Sequence, residues 1–101
     1  MKDIFAIGPT QSVLLFQGIG VTSYIINNEV ELKEKIDELA SSAKIIFISE
    51  ALSPLINDFI RKYQEQVYPI ILFIPLEGKE SGIGIENLKK EVEKAIGMAI
   101  L

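Results

Sequence analysis

The feature that most constrains this chain is where its isoleucines fall. The eighteen isoleucines concentrate in four short apolar runs, and the stretches between them carry hydrophobic residues at helical spacing. The runs are Ile4-Phe5-Ala6-Ile7, ended by Gly8-Pro9; Val21 to Ile26, with Thr22 and Tyr24 inside it; Lys44-Ile45-Ile46-Phe47-Ile48; and Tyr68 to Ile74, closed by Pro75. Apolar residues at consecutive positions imply strands covered on both faces, as in a parallel sheet between helical layers. Right-handed crossovers then place helices on both faces of an open sheet. The pattern predicts a βαβαβαβα chain.

The helical segments are individually legible. Thr10 to Gln17 reads as a short first helix capped by Thr10. Leu32, Ile36, Leu39, Ala40 and Ala43 form the next stripe, with Asn28 as its cap and Glu31 three residues on as the other half of a capping box. Glu29 and Glu31 stand four residues before Lys33 and Lys35 on its solvent side. Leu52, Leu55, Ile56, Phe59, Ile60 and Tyr63 make a third stripe, with Pro54 tolerated in its first turn. The last helix carries Leu88, Val92, Ala95 and Ile96 and ends near Gly97. The expected fold is α/β, an open four-stranded parallel sheet of order 2-1-3-4 in a flavodoxin/receiver-like arrangement one strand short, with strands two and four as edges. A length of 101 residues suits a single Rossmann-like α/β domain over 1–101. Gly78, Gly82 and Gly84 mark residues 76–84 as a mobile loop, leaving 85–101 as a C-terminal helix and tail.

Composition removes several chemistries. The chain has no cysteine and no histidine, so it lacks thiolate metal sites, thiol nucleophiles and the commonest general base. A net charge of -4 argues against sequence-independent nucleic-acid binding or an anionic membrane surface as its main role. The longest apolar run, Ile70 to Ile74, falls far short of the roughly 20 residues that a membrane span needs. Met1-Lys2-Asp3 and the interruption at Gly8-Pro9 do not resemble a signal peptide, so the expected location is cytoplasmic.

Ligands of open α/β sheets bind at the carboxyl ends of the strands. Here those positions hold Gly8-Pro9-Thr10, Asn27-Asn28, Ser49-Glu50 and Pro75-Leu76-Glu77, a poor set for catalysis. Gly18-x-Gly20 follows a helix rather than a strand, and Gly82-x-Gly84 follows no strand directly, so both read as turn glycines, not as dinucleotide fingerprints. A phosphate-accepting receiver site would need acidic residues after strand one and an aspartate after strand three, and neither is present. Thr10 reads as a cap, and Glu50 as a first-turn carboxylate favoured by the helix dipole. No catalytic, cofactor or metal site is expected. What exceeds structural need is apolar: Val13-Leu14-Leu15-Phe16 on one short helix, and the tail Met98-Ala99-Ile100-Leu101 after a helix stop. A partner interface is therefore expected on Leu88, Val92, Ile96, Met98, Ile100 and Leu101, although a last helix of this kind can equally pack on its own sheet.

The fourth run, Tyr68-Pro69-Ile70-Ile71-Leu72-Phe73-Ile74-Pro75, resembles the Tyr-Pro, aliphatic, Ile-Pro strand of the F subunits of V-type/A-type ATP synthases. Leu88 to Leu101 is similar to that family's C-terminus, and Phe16, Gly18-Ile19-Gly20 and Ile48-Ser49-Glu50 match its Phe, Ala-Gly-Ile and Ile-Thr-Glu elements. The family's acidic elements after the first strand are replaced here by Gly8-Pro9-Thr10-Gln11-Ser12. The resemblance spans the whole chain. It implies a non-catalytic rotor component that clasps the coiled-coil D subunit of the central stalk within the catalytic hexamer, and reaches the membrane only through the complex. The fold alone also admits a small-ligand or phosphoryl-signalling module of flavodoxin or receiver type.

Overall fold

A computed structural model describes residues 3–76, 90 and 92–94. Four strands, β1 (Asp3–Gly8), β2 (Thr22–Ile25), β3 (Ala43–Ser49) and β4 (Ile70–Ile74), form one parallel sheet in the order β2-β1-β3-β4. In the central pair Ile4 stands opposite Ile45 and Ile7 opposite Ile48, while the outer pairs set Ile7 against Tyr24 and Ile45 against Ile70.

Alternation along the two central strands splits their side chains between two layers. Phe5, Ile7, Ile46 and Ile48 join Leu32, Ile36, Ile56 and Ile60 on one face. Ala6, Ile45 and Phe47 join Val13, Phe16, Leu76 and Val92 on the other, where the Phe16 and Phe47 rings stack with centroids 5.3 Å apart. The first layer is roofed by α1 (Glu29–Ala40), α2 (Ser53–Ile56) and α3 (Arg61–Gln64). The second is roofed by a 3-10 helix, Gln11–Ile19, and by the helical residues around Val92.

Several local expectations need correction. The first helix is 3-10 rather than α. Val13 and Phe16 are three residues apart, so a three-residue turn stacks them on one side, and both are fully buried. Leu14 is 36% exposed, so the apolar quartet is only partly absorbed by the sheet. Gly20 ends this helix at φ 82°, whereas Gly18 lies inside it and does not have positive φ. The third stripe is not one helix. A short 3-10 turn, Glu50–Leu52, precedes α2, and a turn separates α2 from α3. Bonds to the fourth and to the third preceding carbonyl alternate through it, as in Ile60 N–H to Ile56 and Tyr63 N–H to Ile60. The chain therefore keeps its apolar side toward the sheet while changing pitch.

Ala43 opens β3 instead of closing α1. On α1, Glu29 pairs with Lys33 at 2.7 Å as expected, but Lys35 turns to Glu38 at 2.6 Å. Asn28 caps the helix by accepting the Glu31 N–H at 2.9 Å, and among the described residues no return bond to the Glu31 carboxylate forms. β2 is an edge strand with Thr22 and Ile25 exposed, so its apolar run does not mean burial on both faces. β4 starts at Ile70, after a cis Tyr68–Pro69 bond, not at Tyr68.

Candidate functional site

The carboxyl ends of β1, β2 and β3 lead into the chain's own capping groups. After β1, the Thr10 hydroxyl accepts the Ser12 N–H at 3.3 Å and starts the first 3-10 helix. After β2, Asn28 holds the start of α1. After β3, Ser49 is completely buried and its Oγ accepts the Ala51 N–H at 3.4 Å, which leaves Glu50 exposed in the following turn. Ser49 is the cap that the sequence did not announce. After β4, Leu76 is buried in the second core layer, while the rest of the 76–84 segment lies outside the described residues.

Oxygens committed to backbone N–H groups at helix starts are poorly placed to bind a phosphate or move a proton. Close packing adds to this, because a Cβ on the buried Gly8 would meet the Val13 Cβ at 2.8 Å. Among the described residues no three carboxylates gather into a group that could hold a metal ion, and no helix is long and apolar enough to cross a membrane.

Titratable groups gather instead on the outer side of the first layer. The Tyr63 hydroxyl on α3 donates to the Asp37 carboxylate on α1, and Lys62 reaches the same oxygen at 3.0 Å. The Lys62 ammonium also lies 4.4 Å from the Phe59 ring centroid and 5.1 Å from that of Tyr63. Hydrogen bonding from Tyr63 and the nearby ammonium pull the Asp37 pKa down against the effect of its partial burial. Burial, then the Asp37 bond and charge, push the Tyr63 phenol up to about 12. The network fastens two elements 26 residues apart, so neither segment could reveal it alone. At the β2 edge, Lys35 lies 4.6 Å from the Tyr24 ring, and its bond to Glu38 raises its pKa.

Of the six residues expected at a partner interface, Val92 is described, and it is 5% exposed within the second core layer. Its side chain packs on the domain's own sheet. Leu88, Ile96, Met98, Ile100 and Leu101 lie outside the described residues.

Comparison with known proteins adds what this geometry does not carry. Residues 4–92 match the family model described as the ATP synthase (F/14-kDa) subunit. A protein from Fusobacterium nucleatum, named as a V-type ATP synthase F subunit, is 36% identical over 102 residues, covering all of this chain and 97% of its own. Proteins of the same name from Clostridium perfringens and Clostridium botulinum are 33% and 31% identical, each across 99% of this chain and at least 96% of theirs.

Proposed function

The chain belongs to the ATP synthase (F/14-kDa) subunit family, and from that membership we propose that it acts as the F subunit of a V-type ATP synthase. Its role is non-catalytic: it binds the coiled-coil D subunit of the central stalk and turns with it inside the catalytic hexamer during ATP-driven or ATP-producing ion transport. Membrane association then comes through the complex. The observation that carries this reading is similarity at both ends and throughout, with relatives of matching length. The caps after β1, β2 and β3 support it further, since helix starts there use the Thr10, Asn28 and Ser49 oxygens.

Within that role the C-terminal helix and tail supply stalk contact through Leu88, Ile96, Met98, Ile100 and Leu101, while Val92 anchors the helix to its own sheet. Co-expression with the D subunit followed by gel filtration tests the assignment. One co-eluting complex is expected, and separate elution at micromolar concentration would sink it. Deleting Met98 to Leu101 should weaken the complex by at least about 1 kcal/mol, because burial of even one such side chain is worth roughly 1.5–3 kcal/mol. A truncated protein that melts lower but binds equally well would remove the tail from the interface.

A further inference from the structure

The first core layer is unevenly anchored. From Leu52 to Ile60 the chain sets every fourth residue into the core, with Leu52, Ile56 and Ile60 at most 4% exposed. Over residues 61–68, Tyr63 is buried and every other residue is exposed, Val67 at 77%. Burial resumes at Pro69, and from Ile70 the chain is tied in register to β3. The stretch 61–68, which comprises α3 and the turn after it, is therefore slung between two fixed points, Ile60 and Pro69.

Its inner side is loosely filled. A hollow of ≈ 180 Å³ is lined by Tyr63, Gln64 and Gln66 from the stretch itself and by Pro69, Ile70 and Ile71 at the head of β4. Atoms that face a hollow lack packing partners, so lifting the stretch forfeits little dispersion there. Its backbone is no firmer. α3 is four residues long, far below the length at which a helix holds itself, and the bonds around it are local: Tyr63 N–H to the Ile60 carbonyl at 2.9 Å and Gln66 N–H to the Tyr63 carbonyl at 3.1 Å. The outer side is fastened instead, because the Tyr63 hydroxyl and the Lys62 ammonium both meet the Asp37 carboxylate of α1.

We propose that residues 61–68 form a strap that opens as a unit while the sheet and α1 stay folded, with the Tyr63–Asp37 bond as its latch. Opening gives up the burial of one aromatic side chain, the latch and a few local backbone bonds, whereas global unfolding gives up both core layers. The open form is therefore populated well above the unfolded state. Closed, the strap covers the Pro69, Ile70 and Ile71 wall of the hollow; open, it bares that wall to solvent. The strap is a property of the domain itself and stands independently of the stalk-binding reading.

Native-state amide exchange of the full chain tests this, followed at Tyr63 and Gln66 in the strap and at Ile46 and Ile48 in β3, which is paired on both sides. Strap amides should be at least about tenfold less protected than β3 amides, and below the unfolding transition their exchange should barely respond to urea, because the opening exposes little surface. Exchange in β3 should accelerate steeply with urea. Asn28→Ala removes a cap at the far end of α1 from Asp37; it should speed β3 exchange by about fivefold and leave the strap unchanged, since that cap survives in the open form. Tyr63→Phe should speed both by about fivefold, because its bond is lost in the open and the unfolded forms alike. Equal protection of strap and β3, an equally steep urea dependence, or equal acceleration by Asn28→Ala would mean that 61–68 open only with the whole domain, and overturns the proposal. Strap exchange that Tyr63→Phe leaves unchanged removes the latch and overturns it as well. Where a variant does not fold, the urea dependence of the wild type decides alone.

Discussion

Replacing Gly8 by alanine should destabilise the domain through one contact. Gly8 closes β1, is buried, and does not have positive φ, so its backbone admits an L side chain. Space does not. The added Cβ would meet the Val13 Cβ at 2.8 Å and its Cγ2 at 3.3 Å. Carbon atoms pack comfortably at about 3.5–4.0 Å, so roughly 0.7 Å of separation must be found. Val13 can rotate its methyls but not its Cβ, which is fixed to the backbone of the first 3-10 helix. Relief therefore means moving that helix off the sheet, where Val13 and Phe16 are both fully buried. Overpacking of this kind costs about 1–3 kcal/mol, and the reduced entropy of the unfolded chain returns about 0.4–1 kcal/mol.

A net loss of about 1–2 kcal/mol lowers Tm by roughly 4–16 °C in a domain of this size. Thermal and urea unfolding followed by circular dichroism would measure it, with an unchanged m-value showing that only stability has moved. The decisive control is the same substitution in a Val13→Gly background, which removes the obstructing atom. There Gly8→Ala should stabilise by about 0.4–1 kcal/mol, since only the unfolded-state term is left. An equal loss in both backgrounds would refute the steric account.

Asn28→Ala removes the acceptor for the Glu31 N–H and should cost about 1 kcal/mol in urea unfolding, with Asn28→Ser retaining most of the stability; equal stability of all three proteins would show that the cap contributes nothing. Tyr63→Phe deletes the bond to Asp37 and should cost about 1 kcal/mol near neutral pH. Its pH dependence has a definite sign on each side. The Asp37 pKa is lowered below 3.8, so its contribution is present above that value and is lost as pH falls through the folded pKa. The Tyr63 pKa is raised from 10.0 to about 12, so its contribution is present below pH 10 and is lost as pH rises through 12. The stability gap between wild type and Tyr63→Phe should therefore be flat between about pH 4 and pH 10 and shrink outside that window; a gap that grows at either extreme contradicts the linkage.

The sheet was legible because its signal is local. Consecutive apolar residues in β1 and β3 demanded two covered faces, and the crossover rule left few orders to choose from. Asn28 and Thr10 were readable as caps for the same reason, since a cap and its N–H lie within three residues. The breaks between Leu52 and Tyr63 were not, because 3-10 and α turns keep the same side chains inward over a single turn and differ only in pitch. The edge position of β2 was readable, but the exposure of Thr22 and Ile25 was not: an apolar run reports hydrophobicity, and how far helices cover each face of an edge strand depends on packing between elements. The Asp37–Tyr63 pair and the Gly8–Val13 contact belong to packing between elements and leave no trace in either segment. Val92 had two readings on one stripe, and only the position of its helix against Phe47 and Leu76 chose between them.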